Sequence, residues 1–314
     1  MNNEKLFQGY QVDFLDEDSN LQVALPVLNE DQINDLVKDQ NSKDVITYIN
    51  YSLCLSRTHK FPFFTATNID GRLFKKVPRK DRWRKDPRIA NELQWGLEFY
   101  SVRSGTFDRG HMTKREDVQW GETIGVALNA ADSTFFYTNA APQHKDLNRD
   151  IWRSLEDYIL HAETKKNSLK ICVFTGPILS DSNPYFITSI KGVSVRIPIL
   201  FWKIVVFPKH DGKLYRVGFM MSQKSLLTEQ GVIEDLESAT SEDELYMGFN
   251  DAETYQVNIS VIEELSGIKM PDAIDTYTDN RNLKLVLKEI DIDPDLESDS
   301  LEYQLGFSIE NLIL

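Results

Sequence analysis

The chain has 314 residues, 41% of them hydrophobic and 27% charged, with 35 Lys/Arg against 49 Asp/Glu and a formal net charge of −14. This is an ordinary composition for a protein that buries a core, and no apolar run approaches the roughly 20 residues of a membrane span, which excludes a helical membrane protein. Taken whole, the charge also argues against a polyanionic partner, an inference that its distribution along the chain reverses.

The first residues, MNNEKLFQGYQVDF, lack a basic stretch followed by an apolar one. A secretory signal is therefore not expected, and a cytoplasmic protein is. Residues 1–44 are polar and acidic and read as an N-terminal extension. Its amphipathic stretch from Asn29 to Asp44 suits a short surface helix. Strand patterning starts at Val45 with ITYINYSLCLS, and FPFFTATNIDG ends in an Asp-Gly pair that predicts a hairpin turn. Further strands are expected over Ser133–Asn139, Leu169–Gly176, Val195–Phe207 and Leu214–Ser222, with Pro198 demoting its part of the third run. The clearest helix is Asn148 to Glu163, where Ile151, Trp152, Leu155 and Ile159 form one apolar stripe. Val257–Ile268 reads as a strand running into a short helix closed by Gly267. Cys54 and Cys172 lie far apart in apolar contexts and read as buried thiols. Several strands with few helices predict an α+β fold. The expected division is an extension over 1–44, a core over 45–268, and an acidic C-terminal extension over 269–314.

The charge is strongly asymmetric. From Arg72 to Arg115 there are thirteen basic and five acidic residues, whereas from Glu229 to the end there are 22 acidic and 4 basic. The densest run, KKVPRKDRWRKDPR, holds Lys75, Lys76, Arg79, Lys80, Arg82, Arg84, Lys85 and Arg88 around Trp83. Such a patch is what a phosphate backbone requires, since each neutralised phosphate releases counterions. A solvated charged loop would look the same.

Two segments carry residues suited to chemistry: FDRGHM (Phe107–Met112) and TNAAPQHKDLNRDIWRSLE (Thr138–Glu156). His111 follows an Asp-Arg-Gly turn at the end of the basic region and suits a general base near neutral pH. Asn148 and Glu156 are eight residues apart, about 80° around a helix, and can share one polar edge. Two such oxygens near a histidine suit Mg²⁺, a hard cation that keeps most of its waters. Each residue also has a plainer reading: His111 as a loop histidine, Asn148 as a helix N-cap, Asn139 as the start of a turn.

Together, DRGH and the later TN-x-x-PQ-x-x-x-LN-x-x-x-W-x-x-LE resemble the DNA/RNA non-specific endonucleases, the ββα-metal nucleases. Weaker likeness extends through NIDG, RWRKDP, FTGPI, RIPILFWKI and VIEELSGI, from about Val45 to Ile268. The resemblance implies a central antiparallel sheet flanked by helices, a ββα-metal active site, and Mg²⁺, with Mn²⁺ as a substitute. It implies His111 as the base, Asn148 as the direct metal ligand and Glu156 as acceptor from a metal-bound water. Arg109 then faces the phosphate, Asn139 builds the site floor, and Asp108, Gly110 and Trp152 support the scaffold. The family's transition-state arginine falls on Arg82 by position next to Trp83, with Arg79 and Arg84 as alternatives. The implied substrates are DNA and RNA, cut to 5′-phosphate and 3′-hydroxyl ends with little sequence preference. The competing reading is a catalytically silent nucleic-acid-binding protein. A cytoplasmic nuclease also needs restraint, which points to a homodimer or a regulatory partner at the acidic extensions, and to an immunity effector or toxin as a role.

Overall fold

The computed structural model describes residues 9–16, 21–102, 106–145, 151–158, 169–234, 249, 253–289 and 307–314. Its centre is a nine-stranded sheet. In chain order its strands are β1 (Ile46–Thr47), β2 (Tyr51–Leu55), β3 (Pro62–Asp70), β6 (Lys170–Pro177), β7 (Leu200–Pro208), β8 (Leu214–Ser222), β9 (Thr254–Val257), β10 (Ile274–Asp275) and β11 (Leu283–Lys284). The strands lie in the order β1-β2-β3-β6-β7-β8-β9-β11, antiparallel throughout, and β10 adds to β8 in parallel. Two further pairs stand apart from it: β4 (Phe107–His111) with β5 (Ala140–His144), and β12 (Val286–Glu289) with β13 (Phe307–Glu310). Helices α1 (Glu30–Asn34), α2 (Leu97–Tyr100), α3 (Ile124–Ser133), α4 (Ile151–Tyr158), α5 (Lys224–Glu229) and α6 (Ile259–Ser266) surround the sheet. The α+β reading with a central antiparallel sheet stands.

The middle strands are buried on both faces, which is why LKICVFTG and LFWKIVVF read as continuous apolar runs instead of alternating ones. One face packs Phe64, Phe174, Trp202 and Met220 against Ile259 and Ile262 of α6. The other packs Val173, Phe201 and Phe219 against Met112, Ala141 and Leu155. Those last three residues follow β4, lie in β5 and lie in α4, so sheet packing sets the position of that whole unit. Burying a side chain such as Leu155 contributes about 2 kcal/mol. The cysteines behave as expected: both are free and buried, and burial pushes each thiol up to about 12.

Several expectations change. ITYINYSLCLS is two strands, because Asn50 adopts φ +68° and turns the chain between β1 and β2. The Asp70-Gly71 pair makes no hairpin. Asp70 Oδ1 instead accepts the Arg72 and Leu73 amides in a side-chain turn, and β3 pairs onward with β6. The helix expected from Asn29 to Asp44 is one turn, capped by reciprocal Asn29–Gln32 bonds and stopped where Leu36 and Val37 turn into the core. Ser133–Asn139 is not a strand: α3 ends there, and β5 begins at Ala140.

Neither terminus is a separate appendage in the described residues. The Tyr10 ring meets Phe174 at 5.5 Å, and its hydroxyl donates to the Val23 carbonyl at 2.8 Å. At the other end, Gln256 clamps the Ile313 backbone through bonds of 2.7 and 2.9 Å, and Ile309 and Leu312 pack on the sheet. The acidic run from 290 to 306 lies outside the described residues. No helix among the described residues is long and apolar enough to cross a membrane.

Candidate active site

His111 ends β4, directly opposite Ala140 in β5, and α4 follows the pair: a ββα unit. The glycine before it leaves room for a side chain from the facing strand. A Cβ on Gly110 would sit 2.2 Å from Cδ and Oε1 of Gln143, which lies across the ribbon from Asp108. Asn139 locks the strand end. Its Oδ1 accepts the Thr113 amide at 2.9 Å, and its Nδ2 donates to the carbonyls of Thr113 and Thr134 at 3.0 and 3.1 Å. Fully buried and saturated in this way, Asn139 holds His111 in place from behind instead of touching a substrate.

The basic run reaches this site because it is sewn to the segment preceding β5. The Arg84 amide donates to the Phe135 carbonyl, and the Tyr137 amide donates to the Arg84 carbonyl. Two residues on, the fully buried Asp86 carboxylate accepts from the Arg88 guanidinium and from the Tyr48 hydroxyl at 2.7 Å. Burial alone would raise this carboxyl, but the bonds from Arg88 and Tyr48 outweigh it and hold the group below the usual carboxylate value. Gln94 closes the knot on the Asp86 backbone at 2.8 Å from each side.

Trp83, held between these anchors, places its ring 4.6 Å from the His111 ring, and Phe135 meets the imidazole edge-on at 5.1 Å. Arg109 lies 5.9 Å from the Trp83 ring. The Nε2 atom of His111 and the Nε atom of Arg109 are buried and form no hydrogen bond with the described residues. Buried polar atoms without partners are uncommon in folded proteins, and these two lie two residues apart on β4. Burial, then the charge of Arg79, lowers the His111 pKa; Asp81 and Glu116 oppose this and Arg115 adds to it, leaving it at about 3. The imidazole is therefore neutral at physiological pH, with a lone pair available to take a proton.

A consequence for pH follows. The neutral base persists far below pH 6.5, so the acid limb of kcat/KM against pH is expected nearer 3 than 6.5. A limb at 6.5 that disappears in His111→Gln would contradict this environment. Stability changes with pH as well: below 6.5 the unfolded chain binds a proton that the native histidine refuses, so this residue lowers stability as pH falls from 6.5 towards 3.

Among the expected contact residues, the structure distinguishes the cations by exposure and by partner. Lys76, Arg79, Lys80 and Arg82 are exposed. Arg84 is bound to Asp132 at 2.7 Å and stacks on Phe136 at 4.1 Å; Lys85 pairs with Glu98 at 2.7 Å; Arg88 belongs to Asp86. Lys75 is half-buried, and its amide bonds the Gln119 carbonyl. Of the three arginines weighed for the transition state, only Arg79 acts appreciably on His111, and it does so while paired with Asp81 at 2.6 Å. Asp108 is half-buried in β4. Asn148 lies outside the described residues. Glu156 and Trp152 fall within α4, but their side chains are likewise outside what is described. Among the described residues no three His, Cys, Asp or Glu side chains converge on a metal position. A hydrated Mg²⁺ held through one amide oxygen needs no such cluster, and the orphaned Nε2 of His111 suits a partner water in such an arrangement.

Sequence reasoning missed the Lys114–Asp157 ion pair. At 2.6 Å and mostly buried, it ties the turn after His111 to α4. A double-mutant cycle on Lys114→Ala and Asp157→Ala is expected to give a coupling of about 1 kcal/mol. A coupling indistinguishable from zero would remove this pair as a strut. Phe135 and Trp83 were also missed as walls of the histidine, because an aromatic in a charged run carries no sign of where it packs. A cavity of about 820 Å³, lined by apolar residues such as Leu155, Ile171, Val205 and Leu312, includes neither His111 nor Arg109 in its lining.

A family model described as DNA/RNA non-specific endonuclease matches residues 29–276. The chain belongs to that family. It is 34% identical over 232 residues to an uncharacterized protein, y4fB, of Sinorhizobium fredii, covering 69% of this chain and 33% of that protein. It is 24% identical to Nuclease C1 of Cunninghamella echinulata, covering 76% of this chain and 86% of the relative. Human mitochondrial endonuclease G is 28% identical over 125 residues, 38% of this chain and 39% of its own. The chain thus spans about a third of y4fB and well under half of endonuclease G. The solved structure of endonuclease G with its inhibitor superposes with a TM-score of 0.51 at 22% identity, covering 72% of this chain and 84% of that one, a likeness of fold. In this endonuclease-family chain the matched region takes in α1 and β10, both outside the core expected over 45–268.

Proposed function

We propose that this protein is a Mg²⁺-dependent, sugar-non-specific endonuclease of DNA and RNA, with Mn²⁺ as an alternative ion. The observation that carries the reading is His111: a neutral imidazole whose buried Nε2 has no partner among the described residues, at the end of the first strand of a ββα unit, with Arg109 and Arg79 near it. In this scheme the His111 imidazole takes a proton from water, the water oxygen forms a bond to phosphorus, and the bond from phosphorus to the 3′ oxygen breaks, that oxygen taking a proton from solvent. The strand is left with 5′-phosphate and 3′-hydroxyl ends. Arg109 and Arg79 neutralise the extra charge on the non-bridging oxygens, a role that preorganised cations fill without reorganising during reaction. The ion, held by Asn148 with Glu156 bonding one of its waters, would supply further charge neutralisation at the phosphate. Lys76, Lys80 and Arg82 hold the backbone, so base identity matters little.

The test is cleavage of a DNA strand and an RNA strand of the same sequence, with end-group analysis. Comparable rates and 5′-phosphate ends are expected. Cleavage of one polymer alone would restrict the substrate, and 3′-phosphate ends would contradict the direction of attack. The acidic run over 290–306 is proposed to restrain cleavage. Because β13 beyond it pairs with β12 and Ile309 and Leu312 pack on the sheet, charge neutralisation of Asp291, Asp293 and Asp295 tests this better than truncation; unchanged low-salt activity would reject it.

A further inference from the structure

Beside the histidine lies a second cavity, polar and about 180 Å³ in volume. Lys80 and Arg82 of the basic run, Arg115 of the turn after β4, and Asn129, Asp132 and Phe135 around the end of α3 are among its walls. Phe135 is the shared partition, since its ring also meets the His111 imidazole at 5.1 Å. The cavity therefore begins one aromatic ring away from the base. Its lining carries Lys80, Arg82 and Arg115 against one carboxylate, Asp132; Asp132 is bound by Arg84 at 2.7 Å, and Arg115 is paired with Glu116 at 3.1 Å.

Arg115 is the fixed element. Its side chain is only 12% exposed and is gripped by the Val77 carbonyl at 3.3 Å and by Glu116 at 3.1 Å. A guanidinium carries five N–H donors in a rigid fork, so two bonds behind it leave donors for an anion in front. Lys80 and Arg82 are exposed and line the same cavity, with side chains long enough to reach an anion held at Arg115. Nothing else in the wall competes: Asn129 can donate or accept, and Phe135 offers an apolar edge to a sugar.

We propose that this cavity binds one phosphodiester of the nucleic-acid strand, the phosphate neighbouring the scissile one, with Arg115 as its anchor and Lys80 and Arg82 as closing cations. The proposal rests on the nuclease reading above. It gives the site a register: the strand enters across the Phe135 edge, and the anchored phosphate sets which bond lies at His111.

The experiment follows cleavage of one chosen bond in a short DNA strand, by gel, with a neutral methylphosphonate placed at successive positions. It compares the full chain with Arg115→Gln. In the parent, one position next to the cut is expected to lower kcat/KM about tenfold, the usual effect of a lost charge-assisted bond. Arg115→Gln is expected to lose a similar factor on the unmodified strand and nothing further at that position. Losses that multiply, or an Arg115→Gln protein equal to the parent on the unmodified strand, overturn the subsite while cleavage stands. Lys80→Gln, at an exposed position with no folding role, should reduce the slope of log KM against log salt by about one. An unchanged slope counts against the proposal. A parent that cuts none of the strands removes the nuclease reading, and the subsite with it.

Discussion

Replacing His111 with alanine is expected to slow phosphodiester cleavage at least about a hundredfold, the lower range for a positioned general base. The affinity for nucleic acid should hardly change, because the exposed cations Lys76, Arg79, Lys80 and Arg82 remain. The fold should survive as well. The imidazole makes ring contacts with Trp83 and Phe135, and these two rings also meet each other directly at 5.3 Å. Loss of a ring whose Nε2 forms no hydrogen bond with the described residues removes packing but strands no partner of that atom among them. Cleavage rate and binding anisotropy measured on the same preparation separate the two effects. Near-parental cleavage would move the base elsewhere. A parallel loss of binding would make His111 a structural residue.

The largest effect on stability is expected at Asp86, far more than at any exposed carboxylate. Asp86→Ala leaves the Arg88 guanidinium and the Tyr48 hydroxyl facing a buried gap. Breaking a buried pair from one side costs about 3–5 kcal/mol, because the remaining charge loses its compensation. Asp86 also fixes the end of the run that carries Trp83, so residual activity should fall even where the protein remains folded. Denaturant unfolding with an unchanged slope would read the stability term. A loss under about 0.5 kcal/mol, the size of a surface substitution, would mean that the Asp86–Arg88–Tyr48 knot does not anchor the loop.

The order in which the sequence could be read follows from how local each signal is. Leu214–Ser222 is a strand with the expected bounds, and Gly267 closes its helix at φ +66°, because both depend on neighbours in the chain. The Asp108–His111 motif was equally legible, and the space that Gly110 leaves for the Gln143 amide across the ribbon became visible only in three dimensions. Ser133–Asn139 misled because STFFYTN has strand composition, yet Asn139 draws that segment onto Thr113 and ends it as a turn. The basic run misled differently. Charge along a sequence shows no partners, so Arg84, Lys85 and Arg88 looked like Lys80 until Asp132, Glu98 and Asp86 were seen beside them. Acidic composition likewise hid the apolar anchors Tyr10, Ile309 and Leu312 that build both ends into the core.

Nicking of supercoiled plasmid by the full chain, in Mg²⁺ and again in excess EDTA, tests most directly the claim that this ββα unit is a metal-assisted phosphodiesterase. Rapid conversion to nicked and linear DNA is expected in Mg²⁺ and none in EDTA, with the same dependence for RNA. Intact plasmid in Mg²⁺, or cleavage that survives EDTA undiminished, would contradict it.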